Sequence, residues 1–308
     1  LIKRLRGSSK SSTETGQKKM RMLRRLPKIL KYIPGKAQDL RAWFMVMQYW
    51  LAGSDDNVES MLRFLISRYC HIKHWQGGQA AAPIEYPEVG LYHPDIKGKI
   101  TDDPSELFSM PEAKCTVGIL LMRSYVLSSD TAHYDAVIRS FEERGIRVIP
   151  AFAGGLDSRP AMEAFFRQNG ATKIDVLVSL TGFSLVGGPA YNDAEAAVKI
   201  LKELNVPYVA AHPLEFQTLE QWTASAQGLG PIEATMLVAL PELDGATNPT
   251  VFAGRIGNVE QKEPSVSEKT KQRLMTPCKE RVEKLCARVE KLSNLRRVKI
   301  GDKKVAIV

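Results

Sequence analysis

No stretch of this 308-residue chain carries the roughly 18–20 consecutive apolar residues that a bilayer-crossing helix needs. The longest apolar runs, MVMQYWLAG and TVGILLM, are core-sized, and no secretory signal or transit peptide is visible. Cysteine is scarce: Cys70, Cys115, Cys278 and Cys286. No two are spaced C-x-x-C, which argues against a zinc site. Their scattered, apolar contexts predict core thiols in a reducing compartment. There is no G-x-G-x-x-G and no G-K-[ST], so the chain is not expected to bind ATP itself. The GFS at 182–184 is not a nucleophile elbow, and no Ser–His–Asp arrangement is readable.

Acidic residues are scarce at the two ends. Residues 1–41 hold 13 Lys/Arg against Glu14 and Asp39, and residues 268–304 hold 13 against 5, while the whole chain carries +9. The middle is therefore acidic. Basic ends can meet nucleic acid or an anionic surface. No aromatic–basic interleaving or helix-turn-helix pattern accompanies the charge, so the expectation is an acidic protein partner and no nucleic acid. MRMLRRLPKILKYIPG reads as a basic amphipathic helix interrupted at Pro27, allowing peripheral membrane association at most.

What is present is a rhythm. Residues 7–17 are polar and of low complexity, predicted disordered. Two helices follow, over 39–50 and from a cap at Ser54. AAPIEYPEVGLYHPD carries three prolines and reads as a connector. From Cys115 strand and helix alternate. CTVGILLMR, IRVIPAF, KIDVLVSL, VPYVAA and TMLVAL read as strands. The helices between them include SRPAMEAFFRQNG, with Ser158 as cap, and NDAEAAVKILKELN. Near-continuous Val/Ile/Leu strands joined by helices predict an α/β fold. Its parallel sheet would be covered on both faces, Rossmann- or flavodoxin-like, and preceded by a helical region. TPCKERVEKLCARVEKLSNL predicts a helix with Val282, Leu285, Cys286, Val289 and Leu292 on one stripe. The expected divisions are a basic arm at 1–20, a helical region at 21–82, a connector at 83–111 and an α/β domain at 112–258. A linker and long helix at 259–297 follow, then a strand at 298–308 opening a further unit, as in a segment of something longer.

Ligands of open α/β sheets bind outside the carboxyl ends of strands. Glu215 and Glu220 follow VPYVAA, and Glu242 and Asp244 follow TMLVAL. Carboxylates gathered there would suit acid–base or cation chemistry; as plain loop residues they would cap helices. TGFSLVGGP (181–189) and Gly154-Gly155 are expected to be tight turns rather than phosphate cradles. His71 and His74 lie at helical spacing without an evident third ligand. His93 and His212 each precede proline, which favours extended backbone, and each is most simply a turn residue.

The stretches PEVGLYHPD, LTGFSLVGGPAYNDAEAAVKILKELNVP, QWTASAQGLGPIEA and LPELDGA resemble the magnesium chelatase H-subunit family, with the cobaltochelatase N subunits as its relatives. The resemblance spans roughly residues 20–308. It implies a porphyrin-binding subunit that inserts Mg²⁺ into protoporphyrin IX in chlorophyll synthesis. ATP would be hydrolysed by separate AAA+ partners, the I and D subunits, with a porphyrin-carrying regulatory protein as a further partner. The setting would be the chloroplast stroma or the cytoplasm of a photosynthetic bacterium. On that resemblance Glu242 and Asp244 are the first choices for metal delivery or proton removal, and Glu220 and Glu215 the second. His212 would ligand the metal or hold a propionate, and Phe183, Phe216 and Trp222 would stack on the macrocycle. A cobaltochelatase-type segment and a non-catalytic docking module are the alternatives.

Overall fold

A computed structural model describes residues 30–70, 72, 77–187, 192–257 and 274–304. The polar stretch 7–17, most of the basic amphipathic segment, His71, His74, the linker 258–273 and the last four residues lie outside them. The chain divides into two compact units, Leu1–Tyr86 and Pro87–Val308.

The first unit is a helical hairpin, as the sequence predicts. Helix α1 (Ala37–Ala52) stops at Gly53, whose φ of 67° suits the left-handed cap that glycine adopts without strain. Ser54 then caps α2 (Asp55–Tyr69), its hydroxyl accepting from the Asn57 amide at 3.3 Å. Asn57 is buried and grips the Ile84 backbone twice, at 2.9 and 3.1 Å. Tyr49 donates to the Ala81 carbonyl at 2.5 Å. These bonds fold the proline-rich tail back onto the hairpin.

The second unit is built on an eight-stranded sheet. Its centre is parallel: β3 (Thr116–Met122), β4 (Arg147–Ala153), β7 (Val176–Ser179), β8 (Tyr208–Thr218) and β9 (Thr247–Arg255). Three edge strands are antiparallel: β1 (Val89–Tyr92), β2 (Ile100–Thr101) and β10 (Met275–Pro277). Across the sheet the order is β10-β9-β8-β7-β3-β4-β1-β2. The sheet is thus mixed, not wholly parallel, and β1 and β2 arise from within the expected connector. Met275 at the start of β10 donates its amide to Asp130 at 2.9 Å.

Both sheet faces are covered. On one, Tyr134, Val137, Ile138 and Phe141 of α3 (Ala132–Glu143) share a core with Val282, Leu285, Cys286 and Val289. The latter four are the predicted stripe, on the long C-terminal helix Lys279–Arg297. On the other face, Met162, Phe165 and Phe166 pack with Ala197, Ile200 and Leu204 of α4 (Ala194–Leu204). Gly118 in β3 lets that second layer approach: a Cβ there would lie 2.9 Å from Ile174 and 3.1 Å from Phe166.

Several local expectations are corrected. TMLVAL is not a strand. It lies in a continuous helical stretch made of Pro231–Glu233, a π-helical Ala234–Ala239 and Leu240–Leu243. A six-residue apolar run does not separate strand from helix by composition. Here Pro231, pre-set for a first helical turn, decides. The fifth parallel strand is TNPTVFAGR instead, hidden behind Asn248 (φ 55°) and Pro249, which form a bulge against β8 between Val209 and Ala211. Ser158 makes no side-chain cap; the Asp157 carboxylate takes the Arg159 amide at 3.0 Å. That helix ends at Phe166, ahead of the hairpin β5 (Arg167–Gln168) and β6 (Ala171–Thr172). Asn169 and Gly170, at φ 50° and 80°, make the two-residue turn such hairpins favour. Cys115 and Cys286 are core thiols, but Cys70 is exposed and Cys278 half-buried.

Candidate functional site

In chain order the five parallel strands lie 2-1-3-4-5 across the sheet. The connection leaving β3 runs to α3 on one face, and the one leaving β7 to α4 on the other. The chain therefore parts between β3 and β7, where open α/β sheets leave a crevice at their carboxyl edge. A cleft of about 290 Å³ lies there, lined among others by Met122, Leu156, Ser158, Thr181, Phe183 and Ser184. Its two loop walls are stitched together. Ser158 donates its amide to the Leu185 carbonyl at 2.9 Å, and Gly187 to Leu156 at 2.8 Å. The predicted tight turn is present: Gly182 has φ 72°, and the Ser179 and Thr181 hydroxyls are 2.9 Å apart.

The structure does not gather the predicted acids. Asp244 is buried, on the turn leading into β9, and its Oδ2 accepts the Leu185 amide at 2.8 Å. Burial pushes its carboxyl above the usual range, against the lowering influence of Ser184, Leu185 and Asn192. It thus fastens the cleft loop from behind. Glu242, two residues earlier, is exposed at the end of its helix, with no hydrogen bond or ion pair among the described residues.

Glu215 lies inside β8 rather than after it. It accepts the Tyr125 hydroxyl and faces the Arg255 guanidinium at 3.4 Å. Glu220 is exposed at the start of the capped helix Leu219–Ala224 and accepts the Gly257 amide at 2.9 Å. Partial burial raises its pKa, but hydrogen bonds from Gly257, its own backbone and Thr218 outweigh that and hold it below the usual value. Among the described residues no three His, Cys, Asp or Glu side chains are grouped to hold a metal ion.

His212 is also in β8, buried, with neither ring nitrogen hydrogen-bonded. Burial takes its pKa down to about 4, so the ring is neutral. It packs under the cleft loop: a Cβ on Gly182 would lie 3.6 Å from its Cβ and 3.1 Å from Leu237. Phe183 lines the cleft. Phe216 is 63% exposed on the outlying part of β8, and Trp222 is half-buried with the Arg281 guanidinium 5.2 Å above its ring. The three aromatics do not share one wall. His93 is no bare turn residue: its Nε2 is 2.9 Å from Glu142 Oε1, and its Nδ1 accepts the Asp95 amide at 3.2 Å.

Three groups escaped the sequence reading. Tyr125 and Arg255 flank Glu215 from 90 and 40 residues away, a juxtaposition only the fold reveals. His133 is wholly buried between Tyr125, Tyr134 and Phe252, with both nitrogens unpartnered and its pKa brought down to about 3 by burial. Glu233, also buried, takes the Phe216 amide at 3.1 Å and the Gln217 side chain at 2.5 Å, fixing the extension of β8.

Fold and site together define a layered α/β protein with a crevice at the carboxyl edge of a mostly parallel sheet. A family profile described as CobN/Magnesium Chelatase matches residues 47–308, and a domain of unknown function (DUF3479) matches 1–44. The chain belongs to the CobN/magnesium chelatase family. It is 58% identical, along its whole length, to the magnesium-chelatase H subunit of Cereibacter sphaeroides, and covers 26% of that protein. It is 37% identical over 94% of its length to the chloroplastic magnesium-chelatase protein ChlH of Oryza sativa subsp. indica, covering 21% of it. The match to the aerobic cobaltochelatase protein CobN of Sinorhizobium sp., 32% identical, takes in 42% of this chain and 10% of that one. In fold, the catalytic subunit of cobaltochelatase from Mycobacterium tuberculosis is similar over 85% of this chain and 20% of its own, with a TM-score of 0.60 at 21% identity. The chain spans about a quarter or less of the length of the curated relatives it matches.

Proposed function

We propose that this chain is a segment of the porphyrin-binding large subunit of a magnesium chelatase, which inserts Mg²⁺ into protoporphyrin IX with ATP hydrolysed by separate AAA+ I and D subunits. One observation carries the reading: identity to magnesium-chelatase H subunits runs along the whole chain at 57–58%. The cobaltochelatase match reaches under half of it, which makes that alternative the weaker one. The greater identity to bacterial than to plastid relatives supports the cytoplasm of a photosynthetic bacterium over the chloroplast stroma. The strand order 2-1-3-4-5 supports a flavodoxin-like arrangement.

Mg²⁺ sheds water reluctantly and accepts hard oxygen ligands. Glu242 meets that need: its carboxylate is exposed and unengaged among the described residues. Asp244, Glu215 and Glu220 are engaged with Leu185, with Tyr125 and Arg255, and with Gly257. In this proposal Glu242 receives the hydrated ion, and Asp244 positions the loop that carries Phe183. His212, a neutral ring, is the reserve acceptor for a proton.

The test is titration of the full-length protein with protoporphyrin IX. A shifted Soret band and quenched tryptophan fluorescence are expected. A docking module would show neither, and that result would end the porphyrin reading. Glu242→Gln in the same protein should keep the binding and lose Mg²⁺ insertion; unchanged insertion removes Glu242 from the mechanism.

A further inference from the structure

The crevice between β3 and β7 has a chemistry that selects one end of the proposed substrate. None of its lining residues among those described is charged: Met122, Leu156 and Phe183 supply apolar surface, and Ser158, Thr181 and Ser184 supply hydroxyls. The nearest ionisable group behind the loop is the buried carboxyl of Asp244, bound to the Leu185 amide. A carboxylate ligand would find no cation here and an acid beyond the wall, so an anionic end is disfavoured. A flat, uncharged edge with small apolar substituents fits: Phe183 offers a ring face and the hydroxyls tolerate the π-edge.

Size sets the second limit. Ligand pockets that enclose a drug-sized molecule run from about 300 to 1,000 Å³. A cleft of about 290 Å³ that is open to solvent admits one rim of a macrocycle, not the whole. The walls are also fixed before any ligand arrives. The β4 and β7 loops exchange the Ser158–Leu185 and Gly187–Leu156 bonds and an isolated bridge between Asp157 and Val186. Little ordering would remain to offset binding.

Protoporphyrin IX has two unlike rims, one bearing two propionates and the other methyl and vinyl groups. We propose that the crevice between β3 and β7 receives the uncharged methyl- and vinyl-bearing rim of the tetrapyrrole, which leaves the propionates to be held elsewhere in the full-length protein. The inference rests on the porphyrin reading above and adds the orientation of the substrate. It makes Leu156, Phe183 and Ser184 specificity-determining contacts for substituents on that rim.

The experiment is a pair of titrations of the full-length protein, with protoporphyrin IX and with deuteroporphyrin IX, which has hydrogens in place of the vinyls and the same propionates. Wild-type protein should bind deuteroporphyrin about tenfold more weakly for one buried two-carbon vinyl. Leu156→Trp, a change at a half-exposed loop position (44%) on the cleft wall, should weaken protoporphyrin by about the same factor and bring the two affinities together. If the variant proves misfolded by its melting temperature, Phe183→Leu is titrated in its place and should narrow the same gap. Tight binding with an undiminished gap in the folded variant overturns the cleft assignment and leaves the porphyrin reading standing. Equal affinities in the wild type also overturn it. Failure of wild-type protein to bind either porphyrin sinks the reading on which it rests, and the orientation with it.

Discussion

Asp244 links the helix before β9 to the cleft loop through one hydrogen bond, so two substitutions can separate the bond from the charge. Asp244→Ala removes the acceptor of the Leu185 amide and leaves a buried donor unsatisfied, at a cost of about 1–3 kcal/mol. Asp244→Asn keeps a carbonyl oxygen in the same place. Both variants escape the cost of burying the carboxylate, which the upward-shifted pKa of Asp244 reports. The difference between them therefore isolates the acceptor. The second unit spans Pro87–Val308, a size at which 1 kcal/mol moves Tm by about 2–4 °C. Asp244→Ala should melt about 2–12 °C below Asp244→Asn by calorimetry or circular dichroism, and Asp244→Asn should lie near the wild type. An Asn variant as unstable as the Ala variant would refute the reasoning, because the negative charge and not the hydrogen bond would then hold the loop.

Burial lowers the pKa of His133 to about 3 and of His212 to about 4, below the unfolded value of about 6.5. The unfolded chain therefore takes up protons first, and the stability present above pH 6.5 drains away as pH falls toward 4. Each ring accounts for a loss of about 2 kcal/mol between pH 7 and 5, partly offset by Asp130 and Asp244, whose carboxyls burial raises. Urea unfolding at the two pH values, with His133→Phe for comparison, should show a shallower acid loss in the variant; an identical slope contradicts it. Gly182→Ala puts a side chain at φ 72° with its Cβ 3.1 Å from Leu237, and should cost about 1–2 kcal/mol from the left-handed backbone alone. A neutral result in the same melt would show that the turn can move.

The centre of the fold was legible because buried parallel strands write themselves as unbroken β-branched and aliphatic runs. TVGILLM, RVIPAFA and VLVS are found where those runs predict them. The edges were not. The antiparallel β1 and β10 have 4 and 3 residues, too short for a pattern, and Asn248 and Pro249 disguise β9 as a turn. TMLVAL misled because its apolar residues serve a helix that buries Leu237 while Thr235 stays exposed. The site was only half legible for a related reason. Closeness in sequence brought Glu242 and Asp244 together on paper, but a helix end and a buried turn separate their environments. The cleft, by contrast, is assembled from the exits of β3, β4 and β7, and Phe183 alone of its lining residues stood out in the chain.

The most direct measurement is metal insertion by the reconstituted complex: the full-length protein, its ATPase partners, ATP and a tetrapyrrole, offered Mg²⁺ or Co²⁺ and followed by absorbance and fluorescence. The account predicts ATP-dependent formation of Mg-protoporphyrin IX and no comparable use of Co²⁺. Insertion of Co²⁺ with Mg²⁺ left untouched would contradict it.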